Sequence, residues 1–177
     1  MSLLCPIAQT NQSEVSNTFI NNTCNKFDDD ELMPVCFDVI NSDPREDLKL
    51  DIRGLFAIFM NHSIANGTDN YSYLLQQLKR SDLDNKTRVC VEGYEVVVAI
   101  LKSSLEQLFK NDNENKEMIG SMTTAFDAIS TCEFDFEGYV TEPPVWEAPS
   151  LTLSRLLGVS IGFANLLDCN QVLPCNY

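Results

Sequence analysis

The residues most able to do chemistry in this chain are seven cysteines, a single histidine, and 26 Asp and Glu set against 12 Lys and Arg. Cysteines in this number serve metal ligation or disulfide formation. The spacing argues against zinc, because no C-x-x-C pair occurs and His62 is the lone histidine. That histidine lies inside Asn61-His62-Ser63 and reads as a solvated helix residue rather than a general base. Neither a glycine-rich phosphate loop nor a nucleophile elbow is present. Carboxylates are plentiful, but a hydrolytic pair needs a cleft, and helices packed along their apolar stripes leave little of one. The stretch Asp112 to Met118 has Glu117 where a calcium loop needs glycine. The acidic run Asp28, Asp29, Asp30, Glu31 is assigned to opening a helix, where carboxylates satisfy free N–H groups and suit the dipole. The expected protein is therefore not an enzyme and holds no metal, cofactor or small-molecule ligand.

A second set of residues points to a compartment. Asn11, Asn21, Asn61, Asn66, Asn70 and Asn85 are each followed two positions on by Ser or Thr, against roughly two such sequons expected by chance from the composition. Sequons and cysteines together favour the secretory pathway. Met1 to Thr10 lacks a basic n-region and a long apolar stretch, so a signal segment is expected to have been removed upstream. The formal net charge of -14 repels nucleic-acid phosphates and anionic membranes and attracts a basic protein partner. No apolar run approaches the roughly 20 residues of a membrane span.

The elements that must position any surface chemistry are helices. From Asn85 to Lys110 an apolar stripe steps by three or four through Cys90, Tyr94, Val97, Leu101, Leu105 and Leu108. From Asn115 to Phe136 the stripe is Met118, Met122, Ala125, Ile129, Cys132 and Phe136, with the methionines assigned to core filling. From Leu151 to Leu167 it runs through Leu153, Leu157, Ser160, Ala164 and Leu167, widened by Leu156, Ile161 and Phe163. Upstream, Leu48, Ile52, Leu55 and Phe59 begin a helix that Gly67 is expected to interrupt before Tyr71, Leu74, Leu75 and Leu78. Asn66 and Asn70, four apart, are expected to share an outward face. Ser13 to Ile40 reads as two shorter helices, with Pro34 early enough in the second to be tolerated. Thr141 to Ser150, holding Pro143, Pro144 and Pro149, reads as a loop.

These patterns predict an all-α protein, an antiparallel up-down-up-down four-helix bundle with an N-terminal helical hairpin extension. Residues 1–12 are a flexible segment and 13–168 one domain, with the hairpin over 13–41 and the bundle over 46–168; 169–177 form a tail. Cys24 and Cys36 flank the turn of the hairpin, while Cys90 and Cys132 take core positions on neighbouring helices, so each couple is placed to pair. Cys169 and Cys175 are close enough for a third bridge, which leaves Cys5 as a free or intermolecular thiol.

Four features taken in order resemble the plant invertase/pectin methylesterase inhibitor family across roughly Phe19 to Leu167. They are Cys24 with Cys36; Ser42-Asp43-Pro44-Arg45 followed by Asp51-Ile52-Arg53-Gly54-Leu55; Cys90-x-x-x-Tyr94; and Ala125-Phe126-Asp127 leading through Thr131-Cys132-Glu133 to Phe136-Glu137-Gly138. The resemblance implies a disulfide-stapled helical bundle without catalysis that covers the active-site cleft of pectin methylesterase or of acid invertase, one to one. Invertase-directed members carry Pro-Lys-Phe where this chain has Asn115-Lys116-Glu117, whereas Ala125 to Gly138 is similar to pectin methylesterase inhibitors. The first expectation is thus a secreted apoplastic or cell-wall inhibitor of pectin methylesterase, with acid invertase as the alternative target. A helical carrier or storage-type protein is the alternative of another class.

The contact surface is expected on the helix holding Cys132, where Asp127, Thr131 and Phe134 are spaced four and three off the core stripe. The resemblance adds Glu133, and the helix from Asn85 to Lys110 is expected to supply Glu92 and Glu95.

Overall fold

The computed structural model describes residues 12–27, 29–78, 85–110, 115–136 and 152–169. Regular structure among them is helical: α1 (Gln12–Cys24), α2 (Leu32–Ser42), a short 3-10 turn (Glu46–Leu50), α3 (Ile52–Leu78), α4 (Asn85–Lys110), α5 (Asn115–Phe136) and α6 (Leu153–Cys169).

Within the acidic run, Asp29 is the residue that caps α2, while Asp28 lies outside the described residues and Glu31 makes no side-chain cap bond. Asp29 Oδ1 accepts from the backbone N–H groups of Glu31 at 2.8 Å and Leu32 at 3.0 Å, which satisfies donors that have no intrahelical partner. Pro34 falls in the first turn, where a missing N–H is harmless. Cys24 at the end of α1 bonds to Cys36 in α2, with Cα atoms 5.7 Å apart. In the loop-entropy picture this closure of a short loop stabilises the hairpin by about 3 kcal/mol.

Two of the quoted sequence motifs turn out to be corners. After α2, the carboxylate of buried Asp43 accepts from Arg45 N and Nε at 2.9 Å and from Arg45 Nη2 at 2.6 Å. His62 Nε2 lies 3.2 Å from the same carboxylate. His62 is therefore half-buried against an acid, not solvated as its sequence context suggested. At the start of α3, Asp51 Oδ1 accepts from Gly54 N at 2.7 Å. Gly54 itself is packed so closely that a Cβ there would lie 2.1 Å from the carbonyl oxygen of Leu48. Arg53 Nη1 donates to the Leu108 carbonyl near the end of α4, tying that corner to the next helix.

The long helix α3 runs unbroken from Ile52 to Leu78, so the expected interruption at Gly67 does not occur. A Cβ on Gly67 would approach Val98 Cγ2 to 2.9 Å and Leu153 Cδ2 to 3.2 Å, so the missing side chain lets α3 lie close to α4 and α6. Ser63, Gly67, Asn70 and Leu74 step by four, three and four and are all buried, so the core stripe simply continues through polar and small residues. Asn70 is consequently 0% exposed, and Asn66 and Asn70 do not share an outward face. The first half of α3 is buried on every side, from Gly54 through Met60. An all-round apolar sequence is what an encircled helix requires, and here the ring is α2, the 3-10 turn, α4 and α6.

Helices α3 to α6 form a closed ring in which each packs on the next and α6 returns to α3. The contacts Arg53 to Leu108 and Asn70 to Tyr94 make α3 and α4 antiparallel. Phe59 against Phe163, centroids 5.3 Å apart, and Gly67 against Leu153 do the same for α3 and α6. The core cluster includes the expected Cys90, Tyr94, Val97, Leu101, Met118, Met122, Ala125, Ile129, Leu153 and Leu157. Cys90 and Cys132 are bonded between α4 and α5, Cα atoms 5.5 Å apart, closing a loop worth about 4 kcal/mol by the same entropy estimate. The hairpin docks on α6 through Phe27, edge-on to Phe163 at 5.4 Å, and Glu31, 3.1 Å from Arg155. Cys5, the Thr141 to Ser150 loop and the expected Cys169–Cys175 bridge lie outside the described residues, as does residue 1–12 except for Gln12 in α1.

Candidate functional site

Amphipathic α4 and α5 turn their apolar stripes inward, are joined by the Cys90–Cys132 bond, and each leaves an exposed side. Asp127, Thr131 and Phe134 are all exposed on α5, with Phe134 reaching 76%. Glu92 and Glu95 are exposed on α4. Glu95 follows Cys90 by five residues and Asp127 precedes Cys132 by five. At the helical rise the two carboxylates therefore stand at matching distances from the bridge, roughly 7.5 Å along each axis. Thr131 Oγ1 donates to the Asp127 carbonyl at 3.0 Å, which fixes its methyl and hydroxyl on a regular helical surface.

Sequence reasoning missed two exposed apolar residues of α4. Val89 and Val96, each 58% exposed, flank Glu92 at spacings of three and four. Branched apolar side chains one position off the Cys90 and Val97 stripe were the available signal. Exposed Phe134, Val89 and Val96 contribute aromatic and apolar area, the component in which protein-binding patches are enriched.

Glu133 faces the other way. Its Oε1 accepts from Leu153 N at 3.0 Å and Ser154 N at 3.4 Å, its Oε2 from the Ser154 hydroxyl, and Tyr94 of α4 also bonds to it. The carboxylate therefore caps the N-terminus of α6 from a neighbouring helix and knits α4, α5 and α6 together. Burial pushes its pKa up, opposed by hydrogen bonds from Ser154, Leu153 and Tyr94. Local capping rules cannot find such a residue, because donor and acceptor are 20 positions apart in the chain.

Among the residues expected to carry glycans, Asn21 is exposed, Asn61 and Asn66 are half-buried and Asn70 is enclosed, while Asn11 and the side chain of Asn85 lie outside the described residues. Among the described residues, no group of three or more His, Cys, Asp or Glu side chains is gathered to hold a metal ion, and no helix is long and apolar enough to cross a membrane.

A pectinesterase inhibitor from Actinidia deliciosa is 28% identical over 167 residues, covering 93% of this chain and 87% of its own. The sequence pattern of the plant invertase/pectin methylesterase inhibitor family matches residues 18–161, a span that takes in both disulfides, the two corner motifs and the whole α4–α5 face. The chain belongs to the plant invertase/pectin methylesterase inhibitor family.

Proposed function

We propose that this protein is a secreted inhibitor of pectin methylesterase that acts in the cell wall by seating its α4–α5 face over the enzyme's active-site cleft, one to one. The observation that carries the reading is the exposed row Asp127, Thr131 and Phe134, backed by a disulfide-fixed helix pair. A pre-formed helical face needs little backbone ordering on association, which lowers the cost its apolar contacts must offset. Phe134 is the natural anchor, with Val89 and Val96 adding apolar area and Glu92, Glu95 and Asp127 supplying polar contacts around it. Two adjacent helices together can supply the roughly 800 Å² per partner of a standard interface. Glu133 contributes indirectly, by holding α6 against α5.

The relative's name supports pectin methylesterase over acid invertase, and so does Asn115-Lys116-Glu117, which keeps only the lysine of the invertase-directed motif. The test is to add the purified, oxidised protein separately to pectin methylesterase and to acid invertase and to titrate both activities. Loss of methylesterase activity at equimolar inhibitor, with invertase untouched, is the expected result. Loss of invertase activity alone would reassign the target, and loss of neither would return the chain to the carrier or storage class.

A further inference from the structure

The sequons whose side chains the structure describes sit in unequal surroundings although all satisfy the same acceptor pattern. Asn21 is exposed on α1, and its neighbour Asn22 is exposed as well. Asn70, by contrast, is 0% exposed at the centre of the bundle. Its Nδ2 donates to Asn66 Oδ1 at 3.1 Å and lies 3.3 Å from Tyr94 Oη. An amide nitrogen has two hydrogens to give, so both are committed inside the fold.

N-glycosylation replaces one of those hydrogens. The amide nitrogen attacks the anomeric carbon of a lipid-linked oligosaccharide diphosphate; the N–C bond forms, the C–O bond to the diphosphate breaks, and the amide proton is lost. At Asn21 the product places its sugar in solvent. At Asn70 it would remove one internal hydrogen bond and force a bulky hydrophilic group between α3 and α4, where the interior is close-packed.

We infer that Asn21 is an N-glycan acceptor of this chain and that Asn70 is never one in the folded protein. The inference rests on passage through the secretory pathway and not on which enzyme is the target. Folding of α3 against α4 withdraws the Asn70 sequon at its amide, whereas at Asn21 the amide stays exposed and only the Thr23 hydroxyl is buried, donating to the Phe19 carbonyl at 2.8 Å, so sugar is added there before α1 folds. A chain that received sugar at Asn70 before folding could not close the bundle and would be retained rather than secreted.

The experiment expresses the full chain behind a secretion signal in a glycosylating eukaryotic host, alongside Asn21→Gln and Ser72→Ala. Ser72 is exposed, so its substitution deletes the Asn70 sequon without touching the buried amide. Glycopeptides of the secreted monomer are mapped after enzymatic deglycosylation in heavy-oxygen water, which marks each formerly occupied Asn. The mark is expected on Asn21 and absent from Asn70; Asn21→Gln is expected to lose one glycan, and Ser72→Ala to lose none. A mark on Asn70 in secreted monomer, or an unmarked Asn21, overturns the proposal. Should Asn21→Gln fail to be secreted, the wild-type map decides alone.

Discussion

Two carboxylates, buried Asp43 and half-buried Glu133, tie this fold together with opposite pH signatures. Asp43 is held well below the usual carboxylate range by its hydrogen bonds to Arg45, against the opposing effect of burial. Its contribution is therefore complete above about pH 4 and is lost as pH falls through the acid range below that. Asp43→Asn is expected to lower stability by about 2 kcal/mol at pH 7, with a deficit that shrinks below about pH 4, as denaturant melts at several pH values would record. Glu133 is the reverse case: burial raises its pKa against the opposing hydrogen bonds, so folding shifts it toward the protonated form relative to the unfolded chain. Its stabilising share is fully present below the ordinary glutamate pKa of about 4.3 and declines as pH rises through the higher folded value. Wild type is thus expected to gain stability relative to Glu133→Gln as pH is lowered from 7 toward 4.5 in paired thermal melts, and a gap constant across that range would remove the carboxylate from the account.

At the level of elements, glycine decides how closely the helices approach. In Gly54→Ala the new methyl would meet the Leu48 carbonyl at 2.1 Å, a backbone atom that no rotamer change can move aside. A loss of several kcal/mol is expected, beyond the roughly 1–3 kcal/mol typical of overpacking, measured as a lower denaturation midpoint. On α5, Thr131→Trp places a large group in the middle of the exposed row, away from the core stripe. It is expected to abolish inhibition of pectin methylesterase while the far-UV spectrum and melting temperature stay near wild type; inhibition at the parent's concentration would put the contact elsewhere. The helices of this molecule were legible wherever apolar side chains repeat at helical spacing, as in α4, α5 and α6. Legibility failed in α3, because Ser63, Gly67 and Asn70 occupy the core stripe with residues whose types say surface or break. It failed again at Glu133, whose partners in α6 are found only once the bundle has closed. The outward row on α5 was readable because three exposed residues there obey the same period as the buried ones.

For the molecule as a whole, a net charge of -14 favours encounter with a basic enzyme surface. The association rate is expected to fall as ionic strength rises from about 0.01 to 0.15 M, since the Debye length drops from about 30 to 8 Å over that interval. Stopped-flow or surface-binding kinetics would show it, and a rate indifferent to salt would leave the approach to diffusion and shape alone. The docking of the hairpin on α6 carries a further implication, for synthesis. Glu31 and Arg155 are separated by 124 residues, so at roughly 5–20 residues per second a ribosome needs on the order of 6–25 s between them. Over that interval α1 and α2 are finished but have no last helix to rest on, and the side of α2 destined for α6 stays uncovered in the growing chain. That side of α2 is among the last surfaces to be buried, whereas α1 has α2 and the 3-10 turn to pack on as soon as they are made.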